Sequence, residues 1–189
     1  MANVNHSALS DPYLHEPKGA STANAGEVYI ANGAGSGSWT ELSRYVNGFV
    51  DFNAVSPYAY QHSVTTSYTA LNPAFSLEAS NGFSAVSSPN ARLVYNGTET
   101  IKGSVNFTFN FKNDSGSNKD LEVVFYQNGA VMNGGHIIVS AISGSWSSAT
   151  LTDFATLATN DYVEVFVKGS AAFTLDVASA TLTIVGVPN

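Results

Sequence analysis

Histidines and acidic residues are the side chains with which this chain could do chemistry, because its 189 residues include no cysteine. The four histidines lie far apart in the sequence, at His6, His15, His62 and His136. The segment HEPKG, which starts at His15, begins like a zinc-protease helix, but that motif needs a second histidine where Gly19 stands, and Pro17 disfavours a helix. We therefore expect surface or turn histidines rather than metal ligands.

Paired carboxylates are the other route to catalysis. Asp153, Asp161 and Glu164 are close in sequence, but each is expected at a strand end or on a polar face, where solvated acids are the rule. A calcium site built from Asp114 and Asp120 stays open, although the dense Asp/Asn pattern typical of such sites is missing. We predict no enzymatic activity, no metal and no cofactor, and a glycan hydrolase has the least support.

The charge balance excludes two classes of partner. The formal net charge is −7, and the seven basic residues are scattered rather than gathered in a stripe. Nucleic acid and anionic membrane surfaces both need such a stripe. The first residues lack the basic and apolar regions of a secretory signal, and no window reaches the ~18 apolar residues of a membrane span. We expect synthesis in a cytosol, with no nucleic acid and no membrane as partner.

The pattern of the remaining chain is that of β-strands. Strict alternation with polar neighbours puts four large apolar residues on one face, namely Val105, Phe107, Phe109 and Phe111. The segment LEVVFYQ (121–127) is apolar on both faces, as in a strand covered twice. The intervening 113–120 reads as a turn, so the two segments are predicted to form an antiparallel hairpin.

Further strand-like segments follow at short spacing. They span residues 135–142, 145–154, 161–169 and 171–187. In the last of them the alternation slips by one residue near Ala178, which indicates a β-bulge. No amphipathic helix is evident, and the series predicts an all-β sandwich or barrel.

Two turn motifs in this half of the chain resemble those of the tumour-necrosis-factor and complement globular-head superfamily. Tyr95 and Gly97 match its Tyr-x-Gly turn. Leu157 and Asp161 match its Leu-x-x-Gly-Asp turn, with Asn160 in place of the glycine, a mild departure because Asn also tolerates positive φ. The resemblance covers about residues 70–187 and implies a two-sheet jelly roll that assembles as a trimer.

The same resemblance suggests an interface. The strand DYVEVFV (161–167) puts three valines on one face, suited to the gap between two sheets. Tyr162 and Phe166 lie on the other face, which would normally be wet. In jelly-roll trimers of this superfamily the outer face of one sheet packs around the three-fold axis, so we predict these two aromatics at a trimer interface.

The N-terminal stretch LHEPKGASTANAGEVYIANGAGSGSWT (14–40) is similar to N-terminal segments of tailed-phage head-decoration, head-fibre and tail-fibre proteins. EVYIA (27–31), a glycine-rich turn and SWTEL (38–42) predict a small hairpin, which needs another surface to cover its apolar groups. A disordered tail with one exposed tryptophan is the simpler alternative. The residues predicted to anchor the chain to a virion are Leu14, His15, Pro17, Val28, Tyr29, Ile30 and Trp39.

Together these patterns predict an N-terminal arm and hairpin (1–42), a connecting β segment (43–69) and a jelly roll (70–189). The predicted function is a homotrimeric capsid decoration, cement or head-fibre protein of a phage virion, bound to the major capsid protein or another virion protein. It would be made in the host cytoplasm. The alternative is a tail-fibre tip that binds a host-surface glycan or protein through loop aromatics such as Tyr58, Tyr60 and Tyr68.

Overall fold

The structure, a computed structural model, describes residues 23–24, 27–31, 37–41, 45–53, 60–87 and 89–188. The chain divides into two compact units, Met1–Arg44 and Tyr45–Asn189. All regular elements in the described ranges are strands: β1 (Glu27–Ala31), β2 (Gly37–Glu41), β3 (Val46–Asn53), β4 (Tyr60–Val64), β5 (Thr69–Ala70), β6 (Ser76–Asn81), β7 (Phe83–Val86), β8 (Arg92–Tyr95), β9 (Ile101–Asn113), β10 (Lys119–Gln127), β11 (Ala130–Ala141), β12 (Trp146–Leu157), β13 (Tyr162–Gly169) and β14 (Phe173–Pro188).

The first unit contains the predicted hairpin, which is confirmed. Strands β1 and β2 pair antiparallel, with Tyr29 opposite Trp39 and Val28 opposite Thr40. Because side chains alternate along a strand, Tyr29 and Trp39 share one face and Val28 and Ile30 the other.

The second unit is a sandwich of two six-stranded sheets. One, here the β9 sheet, has the order β12-β9-β14-β3-β6, with β4 also pairing with β14. The other, here the β13 sheet, has the order β11-β10-β13-β8-β7, with β5 also pairing with β13. Strands from β8 to β14 repeatedly switch from one sheet to the other. This is the predicted all-β jelly roll.

The hydrophobic core lies between the two sheets. The four alternating residues of β9 are buried there, and the rings of Phe107, Phe109 and Phe111 stack in series with centroids 5.1 and 4.6 Å apart. The valines of β13 face the same core, with Val163 and Val167 fully buried. Burial of a full apolar side chain is worth about 1.5–3 kcal/mol, so this layer dominates the stability of the sandwich.

The predicted hairpin between β9 and β10 is wrong, because the two strands lie in different sheets. The chain crosses between the sheets through residues 114–118, and the fully buried Asn113 holds the crossing. Its amide nitrogen donates to the carbonyl oxygens of Ser117 and Ala141, while its side-chain oxygen accepts from the backbone N–H of Ser115. A polar, glycine-containing loop is equally suited to a hairpin and to a crossing, so composition did not separate them.

The predicted bulge in β14 is confirmed. The register with β9 shifts between Val177 and Ser179, which makes Ala178 the extra residue. Beyond the bulge the alternation resumes, so Leu182 and Ile184 point into the core.

The segment 43–69, expected to connect the arm to the sandwich, supplies strands to both sheets. β14 is sixteen residues long and pairs with β9 along one edge. Its other edge is covered by β3 and β4, and β5 joins β13 in the opposite sheet. The second unit therefore starts at Tyr45 rather than at residue 70.

Candidate functional surfaces

The hairpin presents apolar side chains on both faces. The rings of Tyr29 and Trp39 meet edge to face with centroids 5.5 Å apart, and on the opposite face Ile30 is 50% exposed. Two strands alone have no interior, so such groups are stabilised by a further surface. The other predicted anchoring residues, Leu14, His15 and Pro17, lie outside the described residues.

The two turn motifs that carried the superfamily resemblance bond to each other. The N–H of Tyr95 donates to the carbonyl oxygen of Asp161 at 2.8 Å, and the N–H of Asn160 donates to the carbonyl oxygen of Tyr95 at 2.7 Å. The Tyr95 hydroxyl donates to the carbonyl oxygen of Glu99, and it lies so close to Gly97 that a Cβ there would overlap it. Asn160 has φ 71°, as expected of a residue that replaces glycine. These bonds fix the start of β13.

The structure places Tyr162 and Phe166 together on the outer face of the β13 sheet, both half-buried. Phe166 stacks on Tyr126 of β10 with ring centroids 3.9 Å apart. The guanidinium of Arg92 lies 4.3 Å from the ring centroid of Tyr162, a cation–π contact. Both predicted interface aromatics therefore have partners within the chain and still present part of their surface outward.

Glu164 lies between these two aromatics and corrects an expectation. It was predicted to be solvated, yet it is only 3% exposed. Its Oε1 accepts a hydrogen bond from the side-chain amide of Asn90 at 3.0 Å and lies 4.0 Å from Nη1 of Arg92. Tyr126 and Arg92 flank it on the neighbouring strands, so the residue is covered by its own sheet face.

A second charged cluster on this face surrounds Glu122 of β10. Its carboxylate lies 2.9 Å from Nζ of Lys168 and 2.9 Å from Nε2 of His136, and the Tyr68 hydroxyl donates to it. Burial opposes ionisation of this carboxyl, but the hydrogen bonds from Tyr68 and Lys168 and the nearby positive charges outweigh it and hold the pKa of Glu122 below its usual value. The Glu122 carboxylate therefore stays ionised at neutral pH.

The outer face of the β9 sheet has a different chemistry. Strands β12, β9 and β14 carry rows of hydroxyl and amide side chains, namely Asn106, Thr108, Asn110, Ser148, Thr150, Thr152, Ser179, Thr181 and Thr183. Many bond across the strands, as Thr108 and Thr150 do with their hydroxyl oxygens 2.9 Å apart. Two exposed aromatics mark opposite ends of β12 on this face: Trp146 is 53% and Phe154 78% exposed.

Sequence reasoning missed Trp146 as a functional candidate. Alternation along β12 was the signal that could have found it, since Trp146 has the same parity as the exposed Ser148 and Thr150. The tyrosines proposed instead behave differently. Tyr60 packs half-buried against the core, Tyr68 bonds to Glu122, and Tyr58 lies outside the described residues.

His62 corrects the expectation of surface histidines, because it is only 8% exposed. Its Nε2 is 2.8 Å from the hydroxyl oxygen of Thr69, and its Nδ1 is 3.3 Å from that of Tyr60. Burial lowers the pKa of His62, which favours the neutral ring. His136 is half-exposed, and His6 and His15 lie outside the described residues.

Within the described residues, no group of three or more His, Cys, Asp or Glu side chains is placed to hold a metal ion. Asp114, one of the two possible calcium ligands, instead pairs with Nζ of Lys112 at 3.1 Å. The described part of the chain also contains no helix long and apolar enough to cross a membrane.

Comparisons with known proteins give likeness of fold alone. No protein-family model and no curated protein matches the chain. Among solved structures it is similar to murine APRIL at pH 5.0, with TM-score 0.46 and 12% identity over 76% of this chain and 99% of that one. It is similar to Eiger TNF from S. frugiperda, with TM-score 0.43 and 9% identity over 75% and 92% of the two chains. It is also similar to PRD1 vertex protein P5, with TM-score 0.43 and 11% identity over 76% and 97%. All three TM-scores lie below 0.5, so the assignment of a jelly roll rests on the strand pairing described above.

Proposed function

We propose that the chain is a non-enzymatic phage virion protein that attaches to the particle through its N-terminal unit and assembles as a homotrimer through its jelly roll. On this proposal it decorates or cements the capsid or forms a head fibre, and the major capsid protein or another virion protein is its partner. The carrying observation is the hairpin: a two-stranded unit, separate from the sandwich, with apolar groups on both faces.

The similarity of residues 14–40 to N-terminal segments of virion proteins supports attachment through this unit. The hairpin adds a physical reason, because Val28, Tyr29 and Trp39 are only half-buried and two paired strands have no interior of their own. A surface that covers both hairpin faces would remove this apolar area from water.

The outer face of the β13 sheet supports the trimer. It combines half-buried aromatics, Tyr126 and Phe166 among them, with ion pairs already satisfied within the chain. Aromatic side chains are enriched at the buried centre of an interface, and charges already paired within the chain can be covered without leaving one unpartnered. Three-fold symmetry would repeat the gain in every subunit.

Co-sedimentation with particles tests attachment. Phage particles stripped of this protein are incubated with the purified full chain, and the bound fraction is measured. We expect the wild type to bind and Trp39→Ala to weaken binding at least about tenfold, because a buried aromatic commonly dominates an interface. Trp146→Ala, which changes the chain's other tryptophan, should bind like the wild type. A wild type that stays in the supernatant, or equal losses in both variants, would overturn the proposal.

Electron microscopy of particles labelled through the chain locates it. Label over the head shell supports decoration, and label at the tail supports the second candidate function, a tip that binds a host-surface receptor. One observation favours that second candidate: Trp146 is a half-exposed tryptophan on a polar sheet face, far in register from Phe154 at the other end of the same strand.

A further inference from the structure

The corner of the β9 sheet around Trp146 forms a cleft. It is shallow and wide open to solvent, with a volume of about 430 Å³. The lining residues are Asn110, Trp146, Ser147, Ser148 and Ala178. The bulge in β14 contributes to this shape, because its extra residue, Ala178, offers only a methyl group where the neighbouring strands carry longer side chains.

Charged groups next to the indole are held in place before any ligand binds. Nζ of Lys112, directly opposite Trp146 in register, lies 5.6 Å from its ring centroid. The same ammonium bonds to Asp114 at 3.1 Å and to Asp176 at 3.2 Å. Asp176 is only 6% exposed and also accepts a hydrogen bond from Gln61 at 3.0 Å. The cleft thus combines one aromatic platform with a fixed set of donors and acceptors.

The balance of charge decides which ligand suits the cleft. Lys112 is outnumbered by the two carboxylates that bind it, and the whole chain carries −7. An anionic ligand is therefore disfavoured. A neutral ligand rich in hydroxyl groups can accept from Lys112 or Asn110 and donate to the side-chain oxygens of Asn110 or Ser148. One face of a sugar ring consists of C–H groups, which pack on the negative face of an indole.

Phe154, at the other end of the same face, has surroundings that suit a different kind of partner. It is even more exposed, and of the two clefts beside it the first is lined by Tyr45, Val185 and Val187 and the second by polar residues such as Gln127 and Asn133. The first, apolar surrounding suits contact with a protein. Trp146 is surrounded by polar side chains and by charges that are already paired within the chain. Such surroundings suit a ligand whose own surface is half hydroxyl and half C–H.

The geometry points to a binding site for a neutral saccharide, in which Trp146 stacks on a sugar ring while Lys112, Asn110 and Ser148 bind its hydroxyl groups. The inference rests on the second candidate function, a receptor-binding role, and not on attachment through the hairpin. Trp39→Ala, which tests attachment, should leave saccharide binding unchanged, so failure of one proposal is distinguishable from failure of the other.

An array of neutral and acidic oligosaccharides, probed with the labelled full chain, tests the inference. We expect binding to neutral glycans. The affinity should fall at least about tenfold in Trp146→Ala, as it does when an aromatic side chain that stacks on a nucleic-acid base is replaced by alanine. Phe154→Ala, an exposed aromatic on the same strand and face, is the matched control and should bind like the wild type. Lys112→Gln, which keeps the fold and part of the donor set, should weaken binding severalfold.

Circular dichroism confirms that each variant is folded, and fluorescence gives an independent readout. The chain has two tryptophans, so Trp39→Phe leaves Trp146 as the single reporter. Titration with the neutral oligosaccharide that binds best on the array should shift its emission. The inference is overturned if no neutral glycan binds, if only acidic glycans bind, if Trp146→Ala binds like the wild type, or if Phe154→Ala loses as much.

Discussion

The two outer faces of the sandwich follow the same alternation yet carry opposite chemistry. On the β13 sheet the outward positions hold aromatics and charges, and several are already covered: Val124 is 1% and Glu164 3% exposed. On the β9 sheet the outward positions of β12, β9 and β14 hold Ser, Thr and Asn, such as the exposed pair Thr108 and Thr150.

Because of this difference, the outer face of the β13 sheet can be covered by another protein surface, whereas the outer face of the β9 sheet is suited to contact with water. Desolvating the polar rows of the β9 sheet would leave hydroxyl and amide groups to find new partners, at a cost of about 1–3 kcal/mol for each one left unpaired. The β13 face has its charges paired and its aromatics half-buried, so a neighbouring copy can cover it at lower cost. This is why the proposed trimer uses the β13 face and the proposed ligand site the β9 face.

The largest effect should come from a charge placed in the aromatic centre of the β13 face. Phe166→Asp removes the stack on Tyr126 and buries a carboxylate against it, so we expect monomers or insoluble protein. Sedimentation velocity measures the mass of the soluble fraction. Thr150→Asp puts the same charge on the β9 face, where Thr108 can donate to it, and should leave assembly intact. Assembly that survives Phe166→Asp would place the interface elsewhere.

Lys112 also lies on the polar face of β9, so Lys112→Asp would be another way to place a negative charge on the outer face of the β9 sheet. It is unsuitable as a control. The Lys112 ammonium joins two acidic residues, Asp114 and Asp176. Reversing it would gather three carboxylates in one place. Thr150 has no such partners among the described charges, which makes it the cleaner site.

A smaller effect is expected from the buried carboxylate of the β13 face. Glu164→Ala leaves Asn90 and Arg92 without their acceptor in a poorly solvated place, so the free energy of unfolding should fall by about 2 kcal/mol. Asp51→Ala, on the outer face of the β9 sheet, should change it by less than about 0.5 kcal/mol. Urea unfolding monitored by circular dichroism measures both. Equal losses would show that the two faces do not differ in burial.

The smallest effect is a dependence of stability on pH, to which His62 contributes from between the sheets and Glu122 from the β13 face. Burial lowers the pKa of His62 below 6.5, so the unfolded chain binds more protons as the pH falls through that range. Its contribution is therefore complete above about pH 6.5 and declines below it. Glu122 acts in a more acid range, since its contribution is present above its ordinary pKa of 4.5 and is lost as the pH falls through its lower folded pKa.

Thermal melting at about pH 7.5 and about pH 5.5 measures this dependence. We expect the wild type to melt at a lower temperature at the acid value, and His62→Gln to lose less between the two. An unchanged loss in His62→Gln would mean that another group is responsible.

Alternation explains which parts of the fold the sequence predicts. Period two fixes which side chains share a face, so the buried residues of β9, the valines of β13 and the bulge at Ala178 were predictable. It does not say which strands pair. The crossing from β9 to β10 depends on the buried amide of Asn113, whose bonds to Ala141 and Ser117 join residues that no local pattern connects.

The candidate surfaces were predictable to a similar degree. Tyr162 and Phe166 could be placed on one outer face, because a single strand carries both. The partners that cover them, Arg92 and Tyr126, come from neighbouring strands and emerge only from the pairing. Trp146 was overlooked for the same reason. Its significance depends on Lys112, which lies opposite it on the neighbouring strand β9.

Sedimentation equilibrium of the wild-type chain at micromolar concentration is the most direct test of trimer formation. We expect a single species with three times the chain mass of 19.8 kDa, because the β13 face is covered by neighbouring copies. A stable 19.8 kDa monomer would contradict it, since the aromatic face of the β13 sheet would then be exposed to water in the folded protein.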